Sequence, residues 1–202
     1  MSAPVSSPID LDAADADLVK QAQAGIARAF DQLVTRYRGK VYGMCYHLVQ
    51  NEQDAWDLAQ DAFLKAWRAL PTFKGDASFY TWIYRIAHNT TYDWLRKKRI
   101  QSDGEFDETV QRNIAAGAEA VPHGDHRPDE VLKNAELGER IKKAITQLSP
   151  DHRTAIVLRE VEGLSYEEIA SIMESTTGTV MSRLFYARKK LQELLKDTYE
   201  NA

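Results

Sequence analysis

The sequence predicts an all-α protein in which two helical domains are joined by a flexible acidic linker. Apolar residues recur at three- and four-residue spacing through most of the chain, which is the period of an amphipathic helix. No stretch alternates polar and apolar residues for long enough to indicate a β-sheet. Residues 101–129 lose the helical period and are rich in glycine, proline and acidic residues, a composition typical of an extended linker.

The distribution of charge supports this division. Residues 1–14 are predicted to form a flexible tail, residues 15–100 the first domain and residues 130–198 the second. The 202-residue chain has a net charge of −4, yet residues 65–99 carry eight cations and two acids, a net charge of +6. Residues 101–139 carry ten acids and three cations, a net charge of −7. Such asymmetry indicates separate basic surfaces and an acidic spacer.

Three apolar stripes predict the helices of the first domain, and Pro71 and Gly75 separate the second helix from the third. The first stripe comprises Phe30, Leu33, Val34, Tyr37, Val41, Met44, Cys45 and Leu48. The second comprises Leu58, Ala59, Ala62, Phe63, Ala66 and Trp67. The third comprises Phe79, Trp82, Ile83, Ile86, Ala87, Thr90 and Trp94.

Several classes of function find no support in the residues. Cys45 is the only cysteine, which excludes an intramolecular disulfide, and its place on an apolar stripe favours a buried thiol over a redox role. His123 and His126 are the only spaced histidine pair, and they are interpreted as incidental because they lie in the linker without further ligands. The sequence shows no phosphate loop, nucleophile elbow, signal peptide or membrane span. We therefore expect a soluble, intracellular protein without catalytic residues, metals or cofactors.

The third helix combines aromatic residues with cations. Tyr80 and Tyr84 are one turn apart and off the apolar stripe, and exposed aromatics beside cations suit stacking on unpaired bases. Asn89 has an amide that can contact the edge of a flipped base. Residues 96–99 are four consecutive cations, more than compensation of the helix dipole requires. The alternative is a solvated helical bundle with a core rich in aromatic residues.

The second helix offers a different surface, because Asp54, Asp57 and Asp61 share one face with Gln60. This face is interpreted either as solvated, with pairs such as Asp61 and Lys65, or as a docking face for a basic partner protein. The residues by themselves do not decide between these readings.

In the second domain, residues 164–191 have the layout of a helix-turn-helix. Ser165 and Glu168 form the S-x-x-E pattern of a capping box. Glu174 and Ser175 are predicted to form the turn, and Ser175 to cap the following basic helix. Ile169, Ala170 and Met173 are expected to form the buried side of the shorter helix.

The longer helix is predicted to enter the major groove of DNA. Its cations Arg183, Arg188, Lys189 and Lys190 stand beside the hydroxyl residues Thr177, Thr179 and Ser182. The alternative is an ordinary three-helix unit with a solvated basic face.

Two long segments together resemble the bacterial extracytoplasmic-function (ECF) sigma factors of RNA polymerase. Residues 54–99, DAWDLAQDAFLKAWRALPTFKGDASFYTWIYRIAHNTTYDWLRKKR, resemble region 2 of that family, and residues 148–191, LSPDHRTAIVLREVEGLSYEEIASIMESTTGTVMSRLFYARKKL, resemble region 4. The resemblance implies a protein that binds core RNA polymerase and directs it to promoters. It also implies control by an anti-sigma factor, which in this family is often membrane-bound.

The resemblance assigns roles to three groups of residues. Residues expected to dock on the clamp helices of the largest polymerase subunit are Asp54, Asp57, Gln60 and Asp61. Residues expected to capture the −10 element are Phe73, Lys74, Phe79, Tyr80, Tyr84, Arg85, Asn89, Arg96, Lys97, Lys98 and Arg99. Residues expected to read the −35 element are Thr177, Thr179, Met181, Ser182, Arg183, Phe185, Tyr186, Arg188 and Lys189. Region 4 is also expected to touch the polymerase flap, and the linker to thread toward the RNA exit path.

Three positions depart from the pattern. Met181 stands where the most similar subgroup usually has arginine or lysine, Tyr186 where it often has arginine, and Thr176 where proline is common. Methionine and tyrosine cannot make the arginine–guanine pair, so the −35 sequence of that subgroup is not carried over. Two other functions stay open: a sigma-like decoy that binds an anti-sigma factor without reading DNA, and a stand-alone helix-turn-helix repressor, which leaves the first domain unexplained.

Overall fold

The computed structural model describes residues 14–102 and 128–200, and every regular element in these ranges is helical. The predicted tail, apart from its last residue, and most of the predicted linker lie outside the described residues, as do His123 and His126. The helices extend slightly further than the sequence predicts, because the last helix of the first domain runs on to Ser102 and the next begins at Pro128.

The first domain contains four α-helices and one 3-10 turn. They are α1 (Asp15–Gln23), α2 (Ala27–Val49), α3 (Glu52–Ala69), the 3-10 turn (Leu70–Thr72) and α4 (Phe79–Ser102). Gln50, with a φ of 55°, ends α2 in the left-handed conformation, and Asn51 caps α3 by accepting from the Asp54 amide at 2.9 Å. This two-residue connection makes α2 and α3 an antiparallel pair.

The second domain contains four α-helices and a π-helical turn. They are α5 (Pro128–Thr146), α6 (Pro150–Ile156), the π-helical turn (Val157–Val161), α7 (Tyr166–Ile172) and α8 (Thr177–Glu200). Gly163 follows the π-helical turn with a φ of 70°, a conformation that favours glycine. The capping box predicted at Ser165 is confirmed, because Ser165 accepts from the Glu168 amide and Glu168 accepts from the Ser165 amide.

The predicted apolar stripes of the first domain form its core, with one exception. Leu33, Val41, Met44 and Ile83 are buried in the centre of the α2, α3 and α4 bundle. Trp67 was expected in the core but is 40% exposed and lies on Phe30 at the surface, with ring centroids 4.9 Å apart. The core nevertheless continues past this position, because Ala66 before it and Leu70 after it are buried.

The two domains pack against each other. Helix α7 contacts α4, and α6 contacts α2. Most of the buried apolar residues of both domains form one continuous cluster. Arg153 of α6 reaches across this boundary and donates to the carbonyl of Leu48 in α2 at 2.8 Å. The side of α4 that faces the second domain is the side on which the sequence places base-contacting residues.

Candidate nucleic-acid interface

Helix α4 presents the residues predicted to meet the −10 element, and Ser78 fixes its start. The hydroxyl of Ser78 accepts from the Thr81 amide at 3.0 Å, as an N-cap does. The loop before the cap is held by Gln23 of α1, whose amide donates to the carbonyls of Leu70 at 3.0 Å and Phe73 at 2.8 Å. This role of Gln23 was not predicted, because nothing in the surrounding sequence indicates a partner about fifty residues away.

The aromatic residues of α4 are less exposed than the sequence predicts. Tyr84 has no exposed surface, so the expectation of an exposed stacking residue was wrong at this position, whereas Phe79 is buried as its place on the third apolar stripe predicts. The reason is that the second domain and α2 cover this part of α4. Tyr80 is half-buried and packs on Tyr84, with ring centroids 4.5 Å apart. Phe73 is also half-buried and packs on Trp82 at 4.5 Å.

Burial also raises the pKa of these tyrosines. Desolvation, with a smaller contribution from the nearby Glu162 carboxylate, raises the pKa of Tyr80 to about 12. Burial likewise raises the pKa of Tyr84 far above its usual range. Both phenols would be neutral at physiological pH even with the ordinary pKa of about 10, and burial keeps them protonated over a wider pH range.

Three acids of the second domain accept hydrogen bonds from the polar side of α4. The hydroxyl of Tyr80 donates to Glu162 at 3.0 Å, the amide of Asn89 donates to Glu174 at 3.2 Å, and the hydroxyl of Tyr92 donates to Asp151 at 2.6 Å. The sequence places Glu174 in the turn but predicts no contact of any of these acids with α4. Asn89 is exposed, but its amide donates to Glu174. The Glu174 carboxylate therefore occupies the position at which the sequence predicts a base.

The end of α4 is the most accessible basic segment of the first domain. Its four consecutive cations, Arg96, Lys97, Lys98 and Arg99, are all exposed, as is Lys74 in the preceding loop. Arg96 pairs with Asp93 at 3.1 Å, and Lys98 lies 4.4 Å from the centre of the Trp94 ring and 3.5 Å from Asp54. Such solvated pairs are weak, so most of the positive charge is available to phosphates. Arg85 lies half-buried further up the helix.

Helix α3 combines the predicted acidic residues with an apolar groove. Asp57, Gln60 and Asp61 are exposed, and the i,i+4 pair of Asp61 with Lys65 is present at 3.1 Å. Asp54 is half-buried and faces Lys98. Beside these polar residues a groove of about 730 Å³ runs between α2 and α3. Its apolar lining includes the exposed side chains of Trp56, Leu64 and Trp67.

The turn between α7 and α8 forms as predicted, but a different residue caps α8. Glu174 occupies the left-handed conformation with a φ of 47°. The sequence analysis assigned the cap to Ser175, and this was wrong, because the Ser175 hydroxyl is buried without a hydrogen-bond partner. Thr176 is the cap: its hydroxyl accepts from the Thr179 amide at 3.1 Å and bonds the Thr179 hydroxyl at 2.9 Å.

Helix α8 exposes apolar residues and holds two of its arginines in ion pairs. Met181, Phe185 and Tyr186 are 53%, 63% and 56% exposed. Arg183 pairs with Asp151 of α6, and Arg188 pairs with Glu160 at 2.7 Å. Thr177, Ser182 and Lys189 are exposed, whereas Thr179 is half-buried. Of the residues predicted to read the −35 element, the accessible ones in the first half of the helix are therefore mostly uncharged.

Metal and thiol chemistry find little support in the described part of the chain. No group of three or more metal-binding side chains occurs there. Cys45 is fully buried, as predicted, and burial raises the pKa of its thiol to about 11, so it is not a reactive thiolate at physiological pH. No helix within residues 14–102 and 128–200 is long and apolar enough to cross a membrane.

Comparisons with known proteins place both domains. Residues 33–100 match the model of Sigma-70 region 2, and residues 138–191 match that of Sigma-70 region 4. The RNA polymerase sigma-H factor of Pseudomonas aeruginosa is 43% identical over 194 residues, covering 91% of this chain and 96% of that protein. The ECF RNA polymerase sigma-E factor of Escherichia coli strain K12 is 40% identical over 187 residues, with coverages of 90% and 96%. The chain belongs to the ECF sigma factors.

Two solved structures share the arrangement of this sigma factor. The sigma factor RpoE of Bartonella quintana, solved with the anti-sigma factor NepR, is 30% identical with a TM-score of 0.66 and covers 83% of this chain and 96% of its own. CnrH, solved with the cytosolic domain of CnrY, is 28% identical with a TM-score of 0.64, and the coverages are 91% and 97%. The resemblance stated from the sequence is therefore confirmed at the level of family and fold.

Proposed function

We propose that this sigma factor binds core RNA polymerase and directs it to promoters through two DNA-contacting helices, α4 and α8. The observation that carries the proposal is that both domains are present over nearly the whole length of relatives named as RNA polymerase sigma factors. Such a function needs no catalytic group, metal or cofactor of its own. It places the protein in the bacterial cytoplasm, where core polymerase and promoter DNA are found.

The exposed face of α3 is the proposed docking site for the clamp helices of the largest polymerase subunit. Asp57, Gln60 and Asp61 supply a polar rim with two acids, and the groove lined by Trp56 and Leu64 supplies an apolar centre. An apolar centre inside a polar rim is the usual anatomy of a stable protein interface. The half-buried Asp54 belongs to this face but pairs with Lys98, so we assign it a smaller part.

Helix α4 is the proposed site of −10 recognition. Lys74 and the cations at positions 96–99 are placed to neutralise phosphates, and Asn89 to contact a flipped base. Tyr80 is the aromatic residue best placed to stack on a base once the second domain moves away. The buried Phe79 and Tyr84, together with Phe73, support the helix and its preceding loop from within.

Helix α8 is the proposed site of −35 recognition, with the remainder of the second domain available to the polymerase flap. Its N-terminal half carries Thr177, Met181, Ser182 and Phe185 on accessible positions, where a recognition helix contacts bases. Thr179, Tyr186 and Lys189 flank this face, and Arg183 and Arg188 border it in their ion pairs.

We also propose that an anti-sigma factor controls this protein. Support comes from Bartonella quintana RpoE and CnrH, which were solved in complex with NepR and with the cytosolic domain of CnrY. CnrH was solved with the cytosolic domain of its partner, and a membrane-bound regulator is the form that we propose here as well. A second candidate function is a decoy that binds an anti-sigma factor only, which the absence of hydrogen-bond donors at Met181 favours.

Run-off transcription with core polymerase tests the proposal. We expect specific transcripts from a library of promoter fragments when the full chain is added, and none from core polymerase alone. The variant Leu64→Glu should lower affinity for core polymerase at least tenfold, because it buries a charge in the groove. Ile100→Glu is the control, since Ile100 is also exposed but lies outside the groove.

Two results would contradict the proposal. Folded protein that binds core polymerase yet yields no transcript from any fragment would leave the decoy as the better reading. Equal core affinity for Leu64→Glu and Ile100→Glu would show that the groove is not the docking site.

A further inference from the structure

The accessible side of α8 carries an apolar stripe in its N-terminal half. Thr177, Met181 and Phe185 follow one another at four-residue intervals and so lie on one face of the helix. More than half of the Met181 and Phe185 side chains is exposed, at 53% and 63%. The opposite side of the helix supplies the core with Val180, Leu184 and Ala187. The stripe contributes little to folding and is free to meet a partner.

The two arginines of α8 form ion pairs within the second domain. Arg183 pairs with Asp151, and only 23% of its side chain is exposed. Arg188 donates to Glu160 from two nitrogens, at 2.7 and 3.2 Å. Both acids belong to the second domain, so these pairs survive any movement of one domain relative to the other. The guanidinium fork that recognises guanine is thus missing from the face formed by Thr177, Met181 and Phe185.

We propose that Met181 and Phe185 select thymine in the −35 element by contacting its C5 methyl group. The proposal rests on the proposed function of α8 as the −35 reading helix. Neither side chain has a hydrogen-bond donor that could satisfy a base edge, and thymine is the base that presents an apolar group in the major groove. Apolar contact with that methyl group is the one specific interaction that these two side chains can make there.

The spacing of the two residues adds a geometric expectation. One helical turn advances about 5.4 Å, and neighbouring base pairs are about 3.4 Å apart. Met181 and Phe185 therefore meet base pairs that are one or two steps apart. The preferred element should contain two thymines, on either strand, within that distance.

The test begins with the holoenzyme formed from this chain and core polymerase. Transcription from a promoter library randomised at the −35 and −10 positions identifies a preferred −35 element. Each thymine of that element is then replaced by deoxyuridine, which removes the methyl group and keeps base pairing. We expect one or two of these replacements to weaken holoenzyme binding roughly three- to fivefold, the factor expected for one buried methyl-sized group.

Variants of the chain show which residue contacts each thymine methyl group. In Met181→Ala and Phe185→Ala, the corresponding uracil replacement should cause no further loss of holoenzyme binding. The control is Gln192→Ala, at an exposed position further along α8, in which the full loss of binding should remain. Met181→Arg should shift the preferred base at the contacted position away from thymine. All three residues are exposed, so each variant should fold, and circular dichroism is the check.

The outcomes separate this inference from the proposed function. A library that yields no transcript contradicts the proposed function itself. If transcription is specific but the uracil replacements have no effect, the thymine contact alone is overturned. The same holds if the replacements weaken binding equally in Met181→Ala, Phe185→Ala and the parent chain. Neutral uracil replacements together with weaker core polymerase binding by Met181→Ala would show that the stripe docks a protein instead.

Discussion

Arg153 joins three parts of the molecule through one half-buried guanidinium. It donates to the carbonyls of Ile145 at 3.1 Å and Leu148 at 3.2 Å, near the end of α5, and also to that of Thr146. Its fourth partner is the carbonyl of Leu48 in the first domain, at 2.8 Å. Carbonyls at the end of a helix lack partners within the helix, so this one side chain satisfies several of them.

Replacing Arg153 with methionine should lower the free energy of unfolding by about 3 kcal/mol, because buried carbonyls lose a charged donor. Urea unfolding followed by circular dichroism measures the change. The exposed Arg140 is the matched control, and Arg140→Met should change stability by less than about 0.5 kcal/mol. Equal effects of the two substitutions would contradict the role assigned to Arg153.

His88 of α4 makes stability depend on pH. Burial lowers its pKa, an effect that Arg183 reinforces and that Asn89, Asp151 and Glu174 oppose. Its Nε2 atom is buried without a hydrogen-bond partner, so a proton there would be poorly solvated. The folded protein therefore holds His88 neutral where the unfolded chain, with an ordinary pKa of about 6.5, binds a proton.

The free energy of unfolding should thus be largest above about pH 6.5 and fall as the pH drops below it. His88→Gln should make this decline shallower, because it removes one group that gains a proton on unfolding. Urea unfolding at about pH 7.5 and pH 5.5 gives the comparison. Identical declines for both proteins would show that His88 does not contribute.

At the scale of elements, the helix-turn-helix is held by hydroxyl caps at both of its helices. Ser165 caps α7 within a complete capping box, and Thr176 caps α8 through the Thr179 amide. Each cap satisfies amide groups that the first turn of a helix leaves free. The left-handed Glu174 turns the chain between the two helices.

Thr176 and Ser175 offer a paired test of the α8 cap. Thr176→Ala should lower the free energy of unfolding by about 1 kcal/mol, the usual value for loss of an N-cap. Ser175→Ala should not lower it, because the Ser175 hydroxyl is buried without a partner. Thermal or urea unfolding of both variants measures the change. A larger loss of unfolding free energy in Ser175→Ala than in Thr176→Ala would show that Ser175 is the cap, as the sequence predicts.

At the scale of the whole molecule, the two domains face each other across the proposed −10 surface. Glu162, Glu174 and Asp151 bind Tyr80, Asn89 and Tyr92 of α4, and their carboxylates stand where phosphates or bases would be expected. Asn89 cannot give the same amide hydrogens to Glu174 and to a base. On the proposed role of α4 in −10 recognition, we therefore expect the two domains to separate when DNA binds.

Weakening this contact should expose α4. The double variant Glu162→Ala/Glu174→Ala removes two hydrogen bonds to α4, and we expect it to bind a single-stranded oligonucleotide carrying the −10 element five- to thirtyfold more tightly. Fluorescence anisotropy measures the affinity. The double variant Glu167→Ala/Glu193→Ala is the control for charge, since it also removes two acids, and both of these are exposed and make no hydrogen bond to the described part of α4. An equal gain in the control would assign the effect to net charge and not to the interface.

Much of this molecule follows from local patterns in its sequence. Apolar periodicity predicts the helices, and the S-x-x-E pattern predicts the start of α7. Pro71 and Gly75 predict the break before α4. The order of the two motifs also identified the family, which the relatives confirm. These features depend on residues a few positions apart, whose interactions the backbone geometry dictates.

Only the tertiary structure decided which faces are covered. Tyr84 is buried and Trp67 is exposed, the reverse of their places in the helical pattern, because burial depends on which helices pack there. Glu174 meets Asn89 across 85 residues of sequence, and Asp151 meets Arg183 across 32. Helical periodicity identifies the face on which a side chain lies. Its partner is set by how distant helices pack to bury their apolar surface, which no local pattern encodes.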